Sequence, residues 1–148
     1  MRMLAAACAL MLCGIASAAA DDPFAQTRMD WNRPHQPFRV IGNVYYVGAA
    51  GVSAFLIRTP AGDILTDGGL PESAPLIEKN IRALGVKLSE VKILLNSHAH
   101  FDHAGGLAEL KRATGGKLYA SAADKPFLES GRITFGPSVN DPFPPVKV

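Results

Sequence analysis

One stretch of eight residues, 96–103, constrains this chain more than any other. It reads Asn-Ser-His-Ala-His-Phe-Asp-His, so three imidazoles and one carboxylate fall within six residues. The largely apolar residues 91–95 directly before it predict a buried strand, which places the cluster where a strand ends and a loop begins. Ligands of α/β sheets bind just outside the carboxyl ends of strands. The stretch therefore predicts a metal site at that edge of a sheet.

The donors in this stretch suit a transition metal. Imidazole binds zinc, copper, iron or nickel, and zinc is the commonest match to a set of histidine and carboxylate ligands. His98 and His100 are two residues apart, so on an extended chain their side chains project to the same side and can share one ion. Asp102 and His103 are adjacent in the loop and can turn toward a second ion. The alternative is a polar loop with solvated histidines, which requires three of the four histidines in the chain to cluster by chance.

The sequence NSHAHFDHAGG at 96–106 resembles the signature of the metallo-β-lactamase superfamily. It is most similar to class B β-lactamases of subclass 3, in which a histidine beside the aspartate takes the place of the cysteine ligand of subclass 1. The resemblance implies two zinc ions, one held by His98 with His100 and the other by Asp102 with His103. It also implies that Asp102 is catalytic and orients the attacking zinc-bound hydroxide.

The same resemblance assigns a role to Asp67, which comes before two glycines. On the residues alone, Asp67 is an ordinary turn aspartate. In the superfamily, an aspartate at the similar position binds no metal but hydrogen-bonds the ligand loop and orients the ligands. We therefore expect Asp67 to lie beneath the metal site.

The activity implied by the resemblance is hydrolysis of the β-lactam ring of antibiotics, and hence antibiotic resistance. The alternatives are another exported hydrolase of the superfamily, such as a lactonase or a thioesterase, or a non-catalytic half-domain. The expected partner is a small-molecule β-lactam, and no protein partner is specified. The net charge is only +2 and no basic run is present, which argues against nucleic acid as a partner.

The first twenty residues have the pattern of a secretory signal peptide. Arg2 precedes an apolar run at 4–15, and Ala-Ser-Ala at 16–18 or Ala-Ala-Ala at 18–20 fits a cleavage site. We expect export to a bacterial periplasm, a mature domain at 21–148 and no membrane attachment after cleavage. An uncut amino-terminal anchor is the alternative. Cys8 and Cys13 would be lost with the signal, leaving neither a disulfide nor a thiolate ligand.

The length of 148 residues allows one domain at most, and the patterning predicts an antiparallel meander followed by helices and further strands. The resemblance implies an α/β (α+β) fold with a mixed, mostly antiparallel sheet covered by helices. Residues 21–37 contain three prolines and predict an irregular arm. Within it, Trp31 is a candidate for lining a substrate groove, or a residue that packs the arm onto the core. His35 is predicted to be a surface residue. The remaining elements are four strands at 38–41, 44–47, 52–58 and 64–66, an amphipathic helix at 70–84, the strand at 91–95, a helix through 107–110, a strand at 117–120 and a short helix ending near 129.

The superfamily fold implied by the resemblance is an αβ/βα sandwich of two similar halves. The resemblance covers residues 31–148 and only the first of those halves. The last histidine is His103, so the further histidine ligands that the family takes from its second half have no counterpart here. We therefore expect a fragment of a longer zinc hydrolase, incomplete at its carboxyl-terminal end, with one sheet face uncovered and with weak metal binding and no useful catalysis on its own.

Overall fold

The computed structural model describes residues 24–136, 139 and 141–148. The predicted signal peptide at 1–20 lies outside the described residues. Within them, no helix combines the length and the apolar character that crossing a bilayer requires.

Six strands form one sheet and lie side by side in chain order. The first four, joined by short connections, make an antiparallel meander: β1 (Phe38–Ile41), β2 (Val44–Tyr46), β3 (Phe55–Ile57) and β4 (Asp63–Thr66). The strand predicted at 52–58 is shorter than expected. Its first residues instead close a turn in which Ala49 N donates to Val52 O and Val47 N to Ala54 O. The first hairpin turns at Gly42, whose φ of +53° suits glycine.

The last two strands, β5 (Val91–Leu95) and β6 (Lys117–Tyr119), run parallel to β4. Parallel neighbours need crossover connections, and helices supply them. After a 3₁₀ turn at Pro71–Ser73, α2 (Ala74–Ala83) leads from β4 to β5, and α4 (Leu107–Thr114) leads to β6. Both helices end at glycines in the left-handed conformation, Gly85 and Gly115. The α/β class and the mostly antiparallel mixed sheet predicted from the sequence are confirmed.

The strand register gives the sheet two different faces. One row across the sheet, Leu56, Leu65, Leu94 and Leu118, is buried against the helices. Complete burial of each such side chain contributes about 2 kcal/mol. The neighbouring row on the other face contains residues that are half-exposed or exposed: Phe38, Tyr46, Phe55, Thr66, Leu95 and Tyr119. This second face is apolar yet open to solvent, as the sequence analysis expected.

Two segments expected to be irregular are helical. The arm contains α1 (Ala25–Trp31), because its prolines flank the helix at 23, 34 and 37 and none lies inside it. The loop that carries the metal donors contains a single turn, α3 (Phe101–Ala104), in which His103 N and Ala104 N donate to His100 O. Asp102 and His103 therefore lie on a helical turn and not on an open loop.

The end of the chain follows α5 (Lys125–Ser130). Before this helix, Ser121 Oγ accepts a hydrogen bond from Asp124 N at 3.0 Å. Residues 141–148 form no helix or strand. Instead, Phe143 and Val146 are buried in the core, and their amides donate to Gly131 O and Leu128 O.

Candidate metal centre

The carboxyl ends of two parallel strands deliver the candidate site. β4 ends at Thr66 and is followed by Asp67, and β5 ends at Leu95 and is followed by residues 96–103. Asp67 N donates to Leu95 O at 2.9 Å, so the two strand ends remain joined where the strands stop. Parallel pairing thus brings together side chains that are about thirty residues apart in the sequence.

The predicted donors converge. One donor atom from each of His98, His100 and Asp102 lies within 4.8 Å of the other two, and all three residues are partly buried. The rings of His98 and His103 have centroids 4.0 Å apart, and Asp102 Oδ2 lies 3.6 Å from His103 Nε2. Two imidazoles and a carboxylate around an open position are the ligand set of a catalytic zinc site. The donor set therefore fits zinc.

The structure groups Asp102 with the first histidine pair as well as with His103. The carboxylate thus lies near His98 and His100 as well as near His103, whereas the sequence analysis paired it with His103 alone. The division of the four side chains between two ions stays a prediction.

Asp67 makes four polar contacts with the segment that carries the predicted ligands, and its role as a residue that orients metal ligands stays a prediction. Its Oδ1 accepts hydrogen bonds from Ser97 N at 2.8 Å and Asn96 Nδ2 at 3.2 Å. Its Oδ2 accepts one from Ser97 Oγ at 2.7 Å and lies 3.1 Å from Nδ1 of His103. A proton on Nδ1 of His103 leaves Nε2 as the donor toward a metal, which is how a carboxylate orients a histidine ligand.

Hydrogen bonding shifts the pKa values of Asp67 and His103 in opposite directions. Burial alone would raise the pKa of Asp67, but the hydrogen bonds from His103 and Ser97 outweigh it and hold the pKa below its usual value. The same contact with Asp67 raises the pKa of His103. Burial, followed by repulsion from His103 and His100, lowers the pKa of His98. In the metal-free protein, the contact between the two side chains thus stabilises the protonated form of His103 and the ionised form of Asp67, whereas burial stabilises the neutral form of His98. Metal binding requires the neutral form of an imidazole.

Close backbone packing holds Asp67 against α3. Gly68 N donates to His103 O at 2.7 Å, and a Cβ atom added at Gly106 would lie 2.3 Å from Gly68 O. Asp67 itself has a φ of +59°, a conformation that few residues other than glycine, asparagine and aspartate adopt. The glycines on both segments are therefore required for the approach that the Asp67–His103 contact needs.

Trp31 and His35, the two residues of the arm that the sequence analysis discussed, lie in different surroundings. Trp31 packs in a small apolar cluster with Ala49, Val52 and Leu70, and Phe101 packs against the same cluster. This supports the packing interpretation of Trp31, while a role in substrate binding stays a prediction. His35 is exposed, its ring contacts Phe38 and Tyr46, and it does not join the donor group found among the described residues.

Two residues that contact the ligand segment were not singled out by the sequence analysis. Ser97 lies close to two of the predicted ligands, with its Oγ 3.3 Å from Nδ1 of His98 and 3.3 Å from Nδ1 of His103. Its position inside the motif, next to His98, was the available signal. Arg28 contacts Phe101 from α1, and no sequence pattern links these two residues.

A second polar groove lies at the opposite end of the sheet. Ser89 and Lys92, which have the S-x-x-K spacing of some serine enzymes, line it together with Arg58 and Asp63. Ser89 is exposed, and Lys92 Nζ donates to its backbone carbonyl at 2.6 Å. The groove is therefore separate from the histidine cluster, and the lysine contact in it is to the backbone.

The fold and the donor cluster define the class of site as a candidate metal centre, with histidine and aspartate donors at the carboxyl ends of parallel strands. The chain belongs to the metallo-beta-lactamase superfamily, whose family model matches residues 47–144. That match includes every predicted metal ligand.

Known proteins similar to the chain include subclass B3 enzymes. One of them is MEM-A1, a subclass B3 metallo-beta-lactamase from a soil metagenome library, whose crystal structure superposes on this chain with a TM-score of 0.74. The two sequences are 51% identical, and the match covers 79% of this chain and 46% of MEM-A1. A UPF0173 metal-dependent hydrolase of Anaeromyxobacter sp. (strain K) is 34% identical over 58% of this chain and 33% of its own length. A hydroxyacylglutathione hydrolase of Jannaschia sp. (strain CCS1) is 35% identical over 48% and 26%, respectively. The chain thus spans about half, or less, of the length of these relatives.

Proposed function

We propose that this chain forms the amino-terminal, ligand-bearing part of a zinc-dependent hydrolase that opens the β-lactam ring of antibiotics. The observation that carries the proposal is the convergence of His98, His100 and Asp102, with His103 alongside, at the carboxyl ends of β4 and β5. The 51% identity to a subclass B3 enzyme supports β-lactams as the substrate class.

Zinc, when bound, would supply a hydroxide near neutral pH and stabilise the negative charge that develops as the amide bond breaks. The residues of this chain perform the positioning. His98 and His100 present imidazoles, and Asp102 presents a carboxylate close to both of them and to His103. Asp67 contacts Nδ1 of His103, whose Nε2 faces the Asp102 carboxylate. Such preorganisation lowers the cost of assembling the ligands around an ion.

Two other functions remain as alternatives. The resemblance to a hydroxyacylglutathione hydrolase favours a thioesterase, and a lactonase would use the same donors. A non-catalytic half-domain is favoured by a different observation, because one face of the sheet is apolar and open to solvent. The β-lactam hydrolase, the other superfamily hydrolases and the half-domain differ in the substrate they turn over and in their metal affinity, so both quantities are measured below.

The first experiment measures zinc binding by competition with a chromophoric chelator. We expect binding to the wild-type chain, and a loss of at least about tenfold in affinity in His98→Asn and Asp102→Asn. His35→Asn is the matched control, because His35 is exposed and lies outside the donor group. Equal affinity in all four proteins would contradict the proposed site.

The second experiment measures turnover of a carbapenem, a thioester of glutathione and an acyl-homoserine lactone. The 148-residue chain and the product of the complete reading frame in the source DNA are assayed side by side. Chelator-sensitive turnover of the carbapenem supports the proposal. Turnover of the thioester or the lactone alone would replace it with the corresponding alternative, and zinc binding without any turnover by either product would favour the half-domain.

We also propose export to the periplasm, on the basis of the signal-like residues 1–20. Fractionation of cells that express the natural gene, with mass spectrometry of the mature amino terminus, tests this. A protein found in the cytoplasm with Met1 or Arg2 at its amino terminus would contradict it.

A further inference from the structure

The helical turn that carries two of the proposed ligands has little stability of its own. α3 spans four residues, and the N-cap residue before it, His100, makes no side-chain capping hydrogen bond. A single turn fixes several dihedral angles for few hydrogen bonds, so it is unstable without tertiary contacts. The orientation of Asp102 and His103 therefore depends on what holds α3 from outside.

One of those contacts comes from the amino-terminal helix. The guanidinium carbon of Arg28, on α1, lies 4.3 Å from the centre of the Phe101 ring. This is the geometry of a cation–π contact, and guanidinium groups favour it because they are planar and weakly hydrated. Phe101 is the first residue of α3 and stands between the ligands His100 and Asp102.

The position of Arg28 is itself fixed by the end of the chain. Arg28 Nη2 donates to Asp141 Oδ1 at 2.8 Å, and both side chains are only 19% exposed. A charge-assisted hydrogen bond at this distance and depth is among the stronger side-chain contacts. Asp141, Arg28 and Phe101 thus form a chain of contacts from the carboxyl-terminal segment through α1 to the metal-ligand turn.

We propose that Arg28, held by Asp141, is a positioning residue that fixes the metal-ligand turn α3 through its contact with Phe101. The inference rests on the proposed metal site and names a residue 74 positions before the first ligand on α3, Asp102. Arg28 is not a member of the donor group of His98, His100 and Asp102. Its effect is to keep Asp102 and His103 in the orientation that the donor cluster requires.

The test compares Arg28→Ala and Arg28→Lys with two controls. Arg82→Ala removes an ion pair of similar length, 2.9 Å to Glu78, on the distant helix α2. Asn32→Ala removes another tether of the arm, the hydrogen bond from Ser73 Oγ to Asn32 Oδ1 at 2.7 Å, without touching Phe101. Zinc affinity, the absorption spectrum of the cobalt-substituted protein, and amide hydrogen exchange of residues 101–104 in the metal-free protein are measured for each.

We expect both Arg28 variants to bind zinc roughly three- to tenfold more weakly, to change the cobalt spectrum and to exchange the α3 amides faster. The lysine variant keeps the positive charge but loses the planar stacking group, so its zinc affinity and α3 exchange should stay close to those of the alanine variant. In a Phe101→Leu background, replacing Arg28 should have little further effect, because the contact is already absent. Arg82→Ala should match the wild type in all three measurements.

The outcomes that overturn the positioning role are distinct from failure of the proposed function. Unchanged α3 exchange and an unchanged cobalt spectrum in the Arg28 variants, with a wild-type protein that binds zinc, would overturn the role alone. Equal losses in Asn32→Ala would also overturn it, because Arg28 would then act only by docking the arm. A wild-type protein that binds no zinc overturns the proposed function, and the positioning role is then decided by α3 exchange.

Discussion

The carboxylate of Asp67 lies 3.1 Å from Nδ1 of His103 and leaves Nε2 of that ring facing Asp102, 3.6 Å away. Asp67 follows β4, and His103 lies on a turn after β5, so the contact exists only because the two strands are parallel neighbours. This contact connects the packing of the sheet with the chemistry of the centre.

Replacing Asp67 by asparagine should weaken zinc binding by about tenfold to a hundredfold. The amide cannot accept hydrogen bonds on both sides as the carboxylate does, so Ser97 and His103 lose a shared acceptor. Competition titration with a chelator measures the change. Asp30→Asn is the control, since Asp30 is exposed on α1, and an equal loss in both variants would contradict a specific role for Asp67.

The metal-free protein should depend on pH through the same pair. His103 has a raised pKa, so its contribution to stability is present below about pH 6.5 and is lost as the pH rises through the folded-state value. Asp67 has a lowered pKa, so its contribution is present above about pH 4 and is lost as the pH falls through its folded-state value. The pair should therefore stabilise the fold most between these limits.

Urea unfolding of the wild type and Asp67→Asn at pH 5.5 and 8.5, with chelator present, measures this contribution. The difference between the two proteins should be larger at pH 5.5 by about 1 kcal/mol, since hydrogen bonds between charged groups are the stronger ones. A larger difference at pH 8.5 would show that the sign is wrong.

Replacing Gly106 by alanine should destabilise the fold by roughly 1–3 kcal/mol. The backbone at Gly106 has a φ of −84° and suits alanine, but the added Cβ would meet Gly68 O at 2.3 Å. Gly85→Ala is the matched comparison. There the φ of +75° resists alanine but the space is open, so the cost should be about 1 kcal/mol. Chemical denaturation measures both, and an equal or smaller cost at Gly106 would contradict the close packing.

Replacing each of two neighbouring leucines on β5 by glutamine should change the stability of the fold by very different amounts. Leu94 is fully buried in the core, so Leu94→Gln should cost about 3 kcal/mol or more through a lost apolar side chain and a buried amide. Leu95 is 43% exposed on the open face, so Leu95→Gln should change stability by less than about 0.5 kcal/mol and reduce the binding of an apolar dye. Unfolding curves and dye fluorescence test both statements, and a comparable loss of stability in the two variants would show that the face is covered.

Much of the fold could be predicted from local patterns. The meander, the crossover helices and the buried strand at Val91–Leu95 were predicted because alternation and helical spacing report which side of each element is buried. The helices α1 and α3 were missed for the opposite reason. α1 buries no residue and α3 is a single turn, so neither has an apolar stripe to recognise. Both are held by contacts with distant segments.

The sequence by itself determined the donor set, because His98, His100, Asp102 and His103 are neighbours and their chemistry suits a metal wherever the loop lies. Only the tertiary structure decided what surrounds them. Parallel pairing of β4 with β5 brings Asp67 to His103, glycine contacts close the gap, and Arg28 reaches Phe101 from the other end of the chain. Local patterns encode which groups are present, whereas distances between remote groups result from packing of the whole chain, and those distances orient the ligands.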